Sequence, residues 1–269
     1  MITLLGATSV SVSLALVCAP AHGKNDECSP RIHAAIAKEL RIEQLQSPRD
    51  GETVAAEACK AWPHTVGVTI AALAYRPSAN TSKDTEHEKH LVVATIDRRS
   101  NRLISSHQRV IYEDALTEFA ADSLRIDTAK YQLSQDLIAF GVRFKSAARG
   151  PSCGEAASWD ELTLYVTNSR TLRPVLTLDM NRQRALDGCI GSATGRDVWE
   201  VATLTISVES TASGGYADLR IVAAITPGTN MDKVPAHLRS RKRVETYLLR
   251  YDGKSYSVSK DAPWWLGSL

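Results

Sequence analysis

One segment of the sequence has the spacing of a serine nucleophile motif. Gly150-Pro151-Ser152-Cys153-Gly154 matches G-x-S-x-G, in which a hydrolase holds its serine on a tight turn between a strand and a helix. A strand-like segment precedes this motif, but another strand-like segment follows it where a helix is required. We therefore predict a stapled glycine- and proline-rich turn and no catalytic serine.

A second segment gathers side chains that bind divalent metal ions. Glu86-His87-Glu88-Lys89-His90 contains two imidazoles and two carboxylates. Its histidines stand three positions apart, whereas the zinc motif H-E-x-x-H places them four apart on a helix. The remaining histidines are scattered, so no third ligand can be named. We predict a solvated charged loop and no metal site.

Six carboxylates lie close together along the chain: Asp97, Glu113, Asp114, Glu118, Asp122 and Asp127. Carboxylates that face one another do general acid–base chemistry or bind calcium. These six form no EF-hand-like ladder, and the carboxyl separation that glycosidase chemistry requires does not follow from sequence. We predict a solvated acidic face. Since a Walker loop, a dinucleotide fingerprint and a catalytic zinc motif are also lacking, we expect no cofactor.

The strongest basic cluster is Arg239-Ser240-Arg241-Lys242-Arg243. Arg239, Arg241, Lys242 and Arg243 are predicted binding residues for phosphate, an acidic glycan or an acidic protein. The cluster has no interleaved aromatic side chains on which bases could stack, so we expect no nucleic-acid partner. The alternative is a charged loop that discourages pairing at an edge strand.

Two adjacent tryptophans, Trp264 and Trp265, stand near the end of the sequence. In a strand their side chains would point to opposite faces, which leaves one of them exposed as an anchor for a partner. The alternative is a tail that clasps the core.

The elements that must position these residues follow an expected export signal. Leu4 to Val17 are apolar or small, and Ala19-Pro20-Ala21 matches an A-x-A cleavage site, so residues 1–21 are predicted to be a signal peptide. An uncleaved anchor and lipidation of Cys18 are the alternatives. No later segment could span a bilayer. We therefore expect a periplasmic or secreted protein that is free of the membrane after cleavage.

The mature chain keeps four cysteines, which predict two disulfides in an oxidising compartment. Four cysteines allow three connectivities. We favour Cys28–Cys59 and Cys153–Cys189, because each disulfide then closes one local segment of the chain. The wide spacing without C-x-x-C argues against a zinc site.

The hydrophobic periodicity predicts a mainly-β fold. Pro30 to Gln46 has helical spacing behind a Ser29 cap, and a second short helix is expected at Glu52 to Lys60, so residues 22–63 are predicted to form a helical N-terminal cap. From residue 64 to 269 the period is 2, which indicates antiparallel sheets with one buried and one solvated face. Hairpin turns about 40 residues apart leave a β-propeller-like fold and a layered sandwich as alternatives.

Two segments resemble parts of uncharacterised exported proteins of Gram-negative bacteria: Cys59-Lys60-Ala61-Trp62-Pro63 with its following strand, and Ser123 to Phe144. This resemblance implies an exported location and brings no activity. Because every catalytic motif lacks the spacing or the flanking elements that its chemistry requires, we expect a non-catalytic binding protein with a protein partner in the cell envelope. One form would be an inhibitor or immunity-type partner of an envelope-active protein. The alternative is an envelope hydrolase acting on glycan, ester or peptide.

Overall fold

A computed structural model of the chain describes residues 27–41, 45, 53–76, 87–150, 153–190, 198–228 and 234–267. The helix and strands of these residues are α1 Pro30–Leu40, β1 Val54–Ala61, β2 Val68–Tyr75, β3 Glu88–Asp97, β4 Arg102–Tyr112, β5 Leu124–Ser134, β6 Leu137–Lys145, β7 Ala156–Asn168, β8 Thr171–Asp187, β9 Val198–Ser213, β10 Tyr216–Pro227 and β11 Arg243–Leu249. A short 3-10 helix, Ala236–Leu238, precedes β11.

The strands form one open eleven-stranded sheet that is mostly antiparallel. Its main path runs β1-β2-β3-β4-β8-β7-β6-β5, and β9, β10 and β11 branch from β8. Among the described strands, the parallel contact is the single partner pair Ser106 and Thr171 between β4 and β8. The predicted mainly-β antiparallel fold is therefore confirmed. Of the two architectures left open, the layered one matches this continuous sheet.

Strands β5 to β8 form a middle layer that is buried on both faces. One face packs Phe140, Val142 and Tyr165 against the inner face of β1 to β3. The opposite face packs Leu162 and Leu164 against β9 to β11 and the C-terminal tail. Helix α1 covers the outer face of β1 to β3, which adds a third apolar cluster. The sheet is thus folded into stacked layers.

The N-terminal helix begins as predicted but is shorter. Ser29 occupies the N-cap position with extended backbone, Pro30 starts the helix, and Arg41 ends it in the left-handed conformation. The helix thus ends at Leu40 and not at Gln46. Residues 42–44 and 46–52 lie outside the described part of the chain.

The prediction of a second helix at Glu52 to Lys60 is wrong, because Val54–Ala61 is strand β1. Its alanines, glutamate and lysine favour a helix in isolation. In the fold, however, β1 lies between α1 and the middle layer, where only small side chains fit. Ala56 and Ala58 are fully buried and stand opposite Ala74 and Ala72 of β2. Tertiary packing therefore overrides local propensity.

Both predicted disulfides are confirmed. Cys28–Cys59 joins the residue before the N-cap of α1 to β1, with the two Cα atoms 5.1 Å apart. Cys153–Cys189 joins the segments that precede β7 and follow β8, with a Cα separation of 4.9 Å.

An Asp-Gly pair such as Asp252-Gly253 favours a two-residue hairpin turn, but no strand of the sheet follows it within the described residues. Only the bridge between Tyr251 and Tyr256 is present in this part of the structure. The Tyr256 backbone N–H instead donates to the carbonyl of Val175 on β8. This contact turns the chain onto the core, where the C-terminal tail packs.

Candidate functional site

A cleft of about 370 Å³ lies where the end of β8, the start of β9 and the segment entering β11 meet. Four arginines and one carboxylate line it, so the cleft is strongly basic. The lining residues are Arg184, Leu186, Glu200, His237, Leu238, Arg239, Ser240, Arg241 and Arg243.

Glu200 organises the wall of this cleft. Its side chain is almost fully buried, with 2% exposed. One carboxylate oxygen accepts a hydrogen bond from Arg184 Nε at 2.8 Å. The other accepts from Arg243 Nη1 at 2.9 Å and from the Ser240 hydroxyl at 2.6 Å. These charge-assisted bonds fix two guanidinium groups on a rigid sheet.

The mutual contacts of Glu200 and Arg243 favour the ionised form of each. Burial alone would raise the pKa of Glu200, but hydrogen bonds from Arg243 and Ser240 and the charge of Arg184 together lower it. The hydrogen bond to Glu200 raises the pKa of Arg243. The lowered pKa of Glu200 and the raised pKa of Arg243 both favour the ionised forms, and fixed guanidinium groups of this kind are suited to binding anions.

The two tryptophans join this network from the C-terminal tail. The guanidinium of Arg184 lies 4.5 Å from the ring centroid of Trp264, within cation–π range. Trp265 is fully buried, and its Nε1 donates to Glu245 Oε2 at 2.6 Å. Glu245 also accepts from Arg243 Nε at 2.7 Å. The tail therefore clasps the core, and of the two predicted anchors only the partly buried Trp264 adjoins the cleft.

The remaining predicted binding residues differ in position. Arg239 and Arg241 are exposed and line the cleft. Arg239 Nε donates to the carbonyl of Val234 at 2.7 Å. Lys242 is exposed beside the cleft and does not line it.

Strand β11 continues from the cleft along the edge of the sheet. Among the described strands it pairs with β10 alone. Its outward side chains include Val244, which is 68% exposed, and Leu248, which is 40% exposed. The cleft is thus adjoined by an apolar surface and an edge strand.

The structure describes parts of the catalytic motifs considered from the sequence. Pro151 and Ser152 lie outside the described residues, Cys153 is in a disulfide, and strand β7 begins at Ala156. The motif is thus followed by a strand, as predicted, and not by a helix. His90 Nε2 lies 2.7 Å from Glu88 Oε1 in strand β3.

The clustered carboxylates are used for turns and ion pairs. Asp97 and Asp114 accept hydrogen bonds from backbone N–H groups two or three residues later. Glu113 pairs with the buried Lys89, and Asp127 lies 3.4 Å from Arg143 Nε. The prediction of one solvated acidic face is therefore incomplete, since part of this set stabilises the fold.

Sequence reasoning missed a small acidic cleft of about 180 Å³ beside the middle layer, lined in part by Ser158, Asp160, Glu161 and Asp179. Burial raises the pKa of Asp179 despite a hydrogen bond from Ser158 and the charge of Arg182. Glu161 and Asp179 are direct partners across β7 and β8. Their proximity follows from the register of β7 with β8, which the single sequence did not specify.

No family model matches this chain, and neither the curated proteins nor the solved structures gave a match. Within the described residues, no helix has the length and apolar character needed to cross a membrane. The fold and the site define a mainly-β, disulfide-bonded protein that presents an arginine-lined cleft beside an edge strand.

Replacing Glu200 with glutamine should lower the free energy of unfolding by about 2–3 kcal/mol, because two arginines lose a charged acceptor. Urea unfolding at neutral pH measures this loss. The matched control is Glu209→Gln on the same strand, because Glu209 pairs with Arg220, which is 52% exposed. That change should cost less than about 1 kcal/mol. Equal losses in the two variants would contradict the anchoring role of Glu200.

The same comparison has a defined pH dependence. Because the pKa of Glu200 is lowered in the folded state from its ordinary value of 4.5, its ionised form stabilises the protein above that value. This contribution is lost as the pH falls through the lowered pKa. The difference between wild type and Glu200→Gln should therefore shrink in acid.

Proposed function

We propose that this protein is a non-catalytic, exported binding protein that recognises an acidic protein partner in the cell envelope. An inhibitor or immunity-type partner of an envelope-active protein is one concrete form. The observation behind the proposal is the arginine-lined cleft, in which a single buried carboxylate, Glu200, orients Arg184 and Arg243.

The charges of the cleft favour an anionic ligand. Its four arginines exceed the charge of Glu200, so a net positive field faces solvent. Guanidinium groups remain protonated at all ordinary pH values and bind carboxylates with two parallel hydrogen bonds. Arg184 and Arg243 are held in place before binding, which reduces the entropy lost on association. Arg239 and Arg241 are exposed, so their guanidinium groups are accessible to a partner's acidic side chains.

The neighbouring strand favours a protein over a small anion. Protein interfaces combine arginine anchors with an apolar centre. Val244 and Leu248 supply apolar side chains on β11, directly after the basic cluster. An edge strand also offers backbone groups to which an extended segment of a partner can add. The two disulfides support a location in an oxidising compartment.

The test is affinity capture from envelope extract with immobilised protein. Wild type should recover one stoichiometric protein, and the double variant Arg239→Glu/Arg241→Glu should bind it at least about 100-fold more weakly, since like charges across an interface repel. The control Arg98→Glu/Arg102→Glu makes the same charge change on the exposed β3–β4 turn and should bind normally. Equal losses in both double variants, or no protein recovered by wild type under several growth conditions, would refute the proposal.

The small acidic cleft favours a second candidate, an envelope hydrolase acting on glycan, ester or peptide. A carboxyl group with a raised pKa, such as that of Asp179, is suited to act as a general acid. Arg143 lies 2.8 Å from Asp160 and Arg109 lies 2.7 Å from Glu161, however, so these carboxylates already form ion pairs. This is why we prefer the binding function. Asp179→Asn should abolish any hydrolysis that is found and leave the captured partner bound.

A further inference from the structure

A buried imidazole–carboxylate pair lies beside the first disulfide. His33 Nε2 is 2.5 Å from Glu57 Oε2, and each side chain is only 6% exposed. Cys28 Sγ, a nitrogen of His33 and a carboxylate oxygen of Glu57 all lie within 4.8 Å of one another. Within the described part of the chain, these three residues are the only cluster of possible metal-binding side chains.

The elements of the fold bring four donor residues together here. Cys28 immediately precedes the N-cap Ser29, and His33 lies in the first turns of α1. Glu57 and Cys59 stand two positions apart on β1, so both side chains point to the face that α1 covers. The disulfide holds Cys59 Sγ against Cys28 Sγ. Cys28 Sγ, a His33 nitrogen and a Glu57 carboxylate oxygen therefore meet beneath the helix, and Cys59 Sγ is bonded to Cys28 Sγ.

Stability alone gives a weak reason for this arrangement. The layer beneath α1 is otherwise apolar, with Ile36, Ala37 and Leu73 among its buried members. Burying an ionisable pair in such a layer costs solvation that apolar residues of similar volume would not lose. The donor types are instead those that bind zinc in proteins, which are thiolate, imidazole and carboxylate in a tetrahedral arrangement.

We propose that reduction of Cys28–Cys59 converts this cluster into a zinc site with Cys28, Cys59, His33 and Glu57 as ligands. A dithiol reductant supplies two electrons and two protons, the S–S bond breaks, and the reductant becomes a disulfide. Zn²⁺ then displaces the two thiol protons, which pass to solvent. Neutral His33 donates its Nε2 lone pair, and Glu57 donates a carboxylate oxygen. The covalent link between α1 and β1 is thereby replaced by a metal link.

The exchange requires side-chain movements of about 1–2 Å. In a tetrahedral site with zinc–ligand bonds of about 2.0–2.3 Å, two ligand atoms lie about 3.3–3.8 Å apart. The donor atoms of Cys28, His33 and Glu57 now lie within 4.8 Å of one another, the short contact between His33 and Glu57 would open to admit the ion, and the two sulfurs would separate after reduction. In the oxidised protein the sulfurs are bonded to each other and have no thiolate to offer.

The test uses the full-length mature protein, reduced with a phosphine and desalted without oxygen. Zinc affinity is measured by competition with a chromophoric chelator, and Co²⁺ replaces zinc to report tetrahedral thiolate coordination by its visible spectrum. Reduced wild type should bind one ion per Cys28–Cys59 pair, at least about 100-fold more tightly than the oxidised protein. His33→Ala and Glu57→Gln should each weaken binding at least about tenfold, a loss typical of disturbed metal sites.

The matched control removes the other cysteine pair. Cys153→Ser/Cys189→Ser should retain the ion and the Co²⁺ spectrum after reduction. Unchanged affinity in His33→Ala and Glu57→Gln would overturn the proposal, because the thiols alone would then hold the ion. Loss of the ion in the Cys153/Cys189 variant, or a reduced wild type that loses its β-sheet circular dichroism and binds no metal, would overturn it as well.

Discussion

Replacing Trp265 with alanine should lower the free energy of unfolding by about 3–5 kcal/mol, the usual cost of removing a large aromatic side chain from a core. Trp265 is fully buried against the cluster that joins the middle layer to β9–β11. Its indole N–H also satisfies the Glu245 carboxylate, which would lose a donor. Urea unfolding followed by circular dichroism measures the loss.

The matched control is the neighbouring residue. Trp264 is only partly buried, so Trp264→Ala should cost less than about 2 kcal/mol. Trp265→Phe should recover most of the packing and remove only the indole hydrogen bond to Glu245 Oε2. If Trp264→Ala were as damaging as Trp265→Ala, the tail would not be anchored by the buried indole.

Removing the second disulfide with Cys153→Ser/Cys189→Ser should destabilise the protein by about 3–4 kcal/mol. The crosslink closes a loop of 36 residues, and its loss frees the unfolded chain. In the folded protein the flanking strands stay paired, because Ala156 of β7 lies opposite Arg184 of β8. The variant should therefore keep its β-sheet circular dichroism while its unfolding midpoint falls.

The first disulfide provides an internal comparison. Cys28–Cys59 closes 31 residues, a loop of nearly the same length. If loop entropy dominates, removing either pair should cost the same within about 0.5 kcal/mol. A difference of more than about 2 kcal/mol would show that local packing, and not the unfolded chain, sets the effect.

Much of the sheet was predictable because its outer strands have one solvated face. Along β9, Leu204 is buried while Thr203 and Thr205 are exposed, which is the period-2 pattern seen in the sequence. The middle layer was harder, since Ala139 and Gly141 alternate with Ile138, Phe140 and Val142 and so occupy the positions of a solvated face. A side chain on Gly141 would lie only 2.6 Å from Leu162 of the neighbouring strand β7, which occupies the space above the glycine, and Ala139 is buried in the same cluster as Leu162.

The candidate site was only half predictable for a different reason. The basic run that ends at Arg243 is local in sequence and was recognised from composition. Arg184 and Glu200 lie on separate strands and become neighbours through the register of β8 with β9, where they are direct partners. A single sequence contains no signal for that register. The buried carboxylate that orients the arginines was therefore not foreseen.

The two-sided burial of β5–β8 has a consequence for biosynthesis. Because the ribosome makes the chain from its N-terminus, β1–β4 emerge before the strands that cover their inner apolar face. Exposed apolar surface and unpaired strand edges make such nascent chains prone to aggregation. We therefore expect the growing polypeptide to need protection from aggregation until the central strands have been translated.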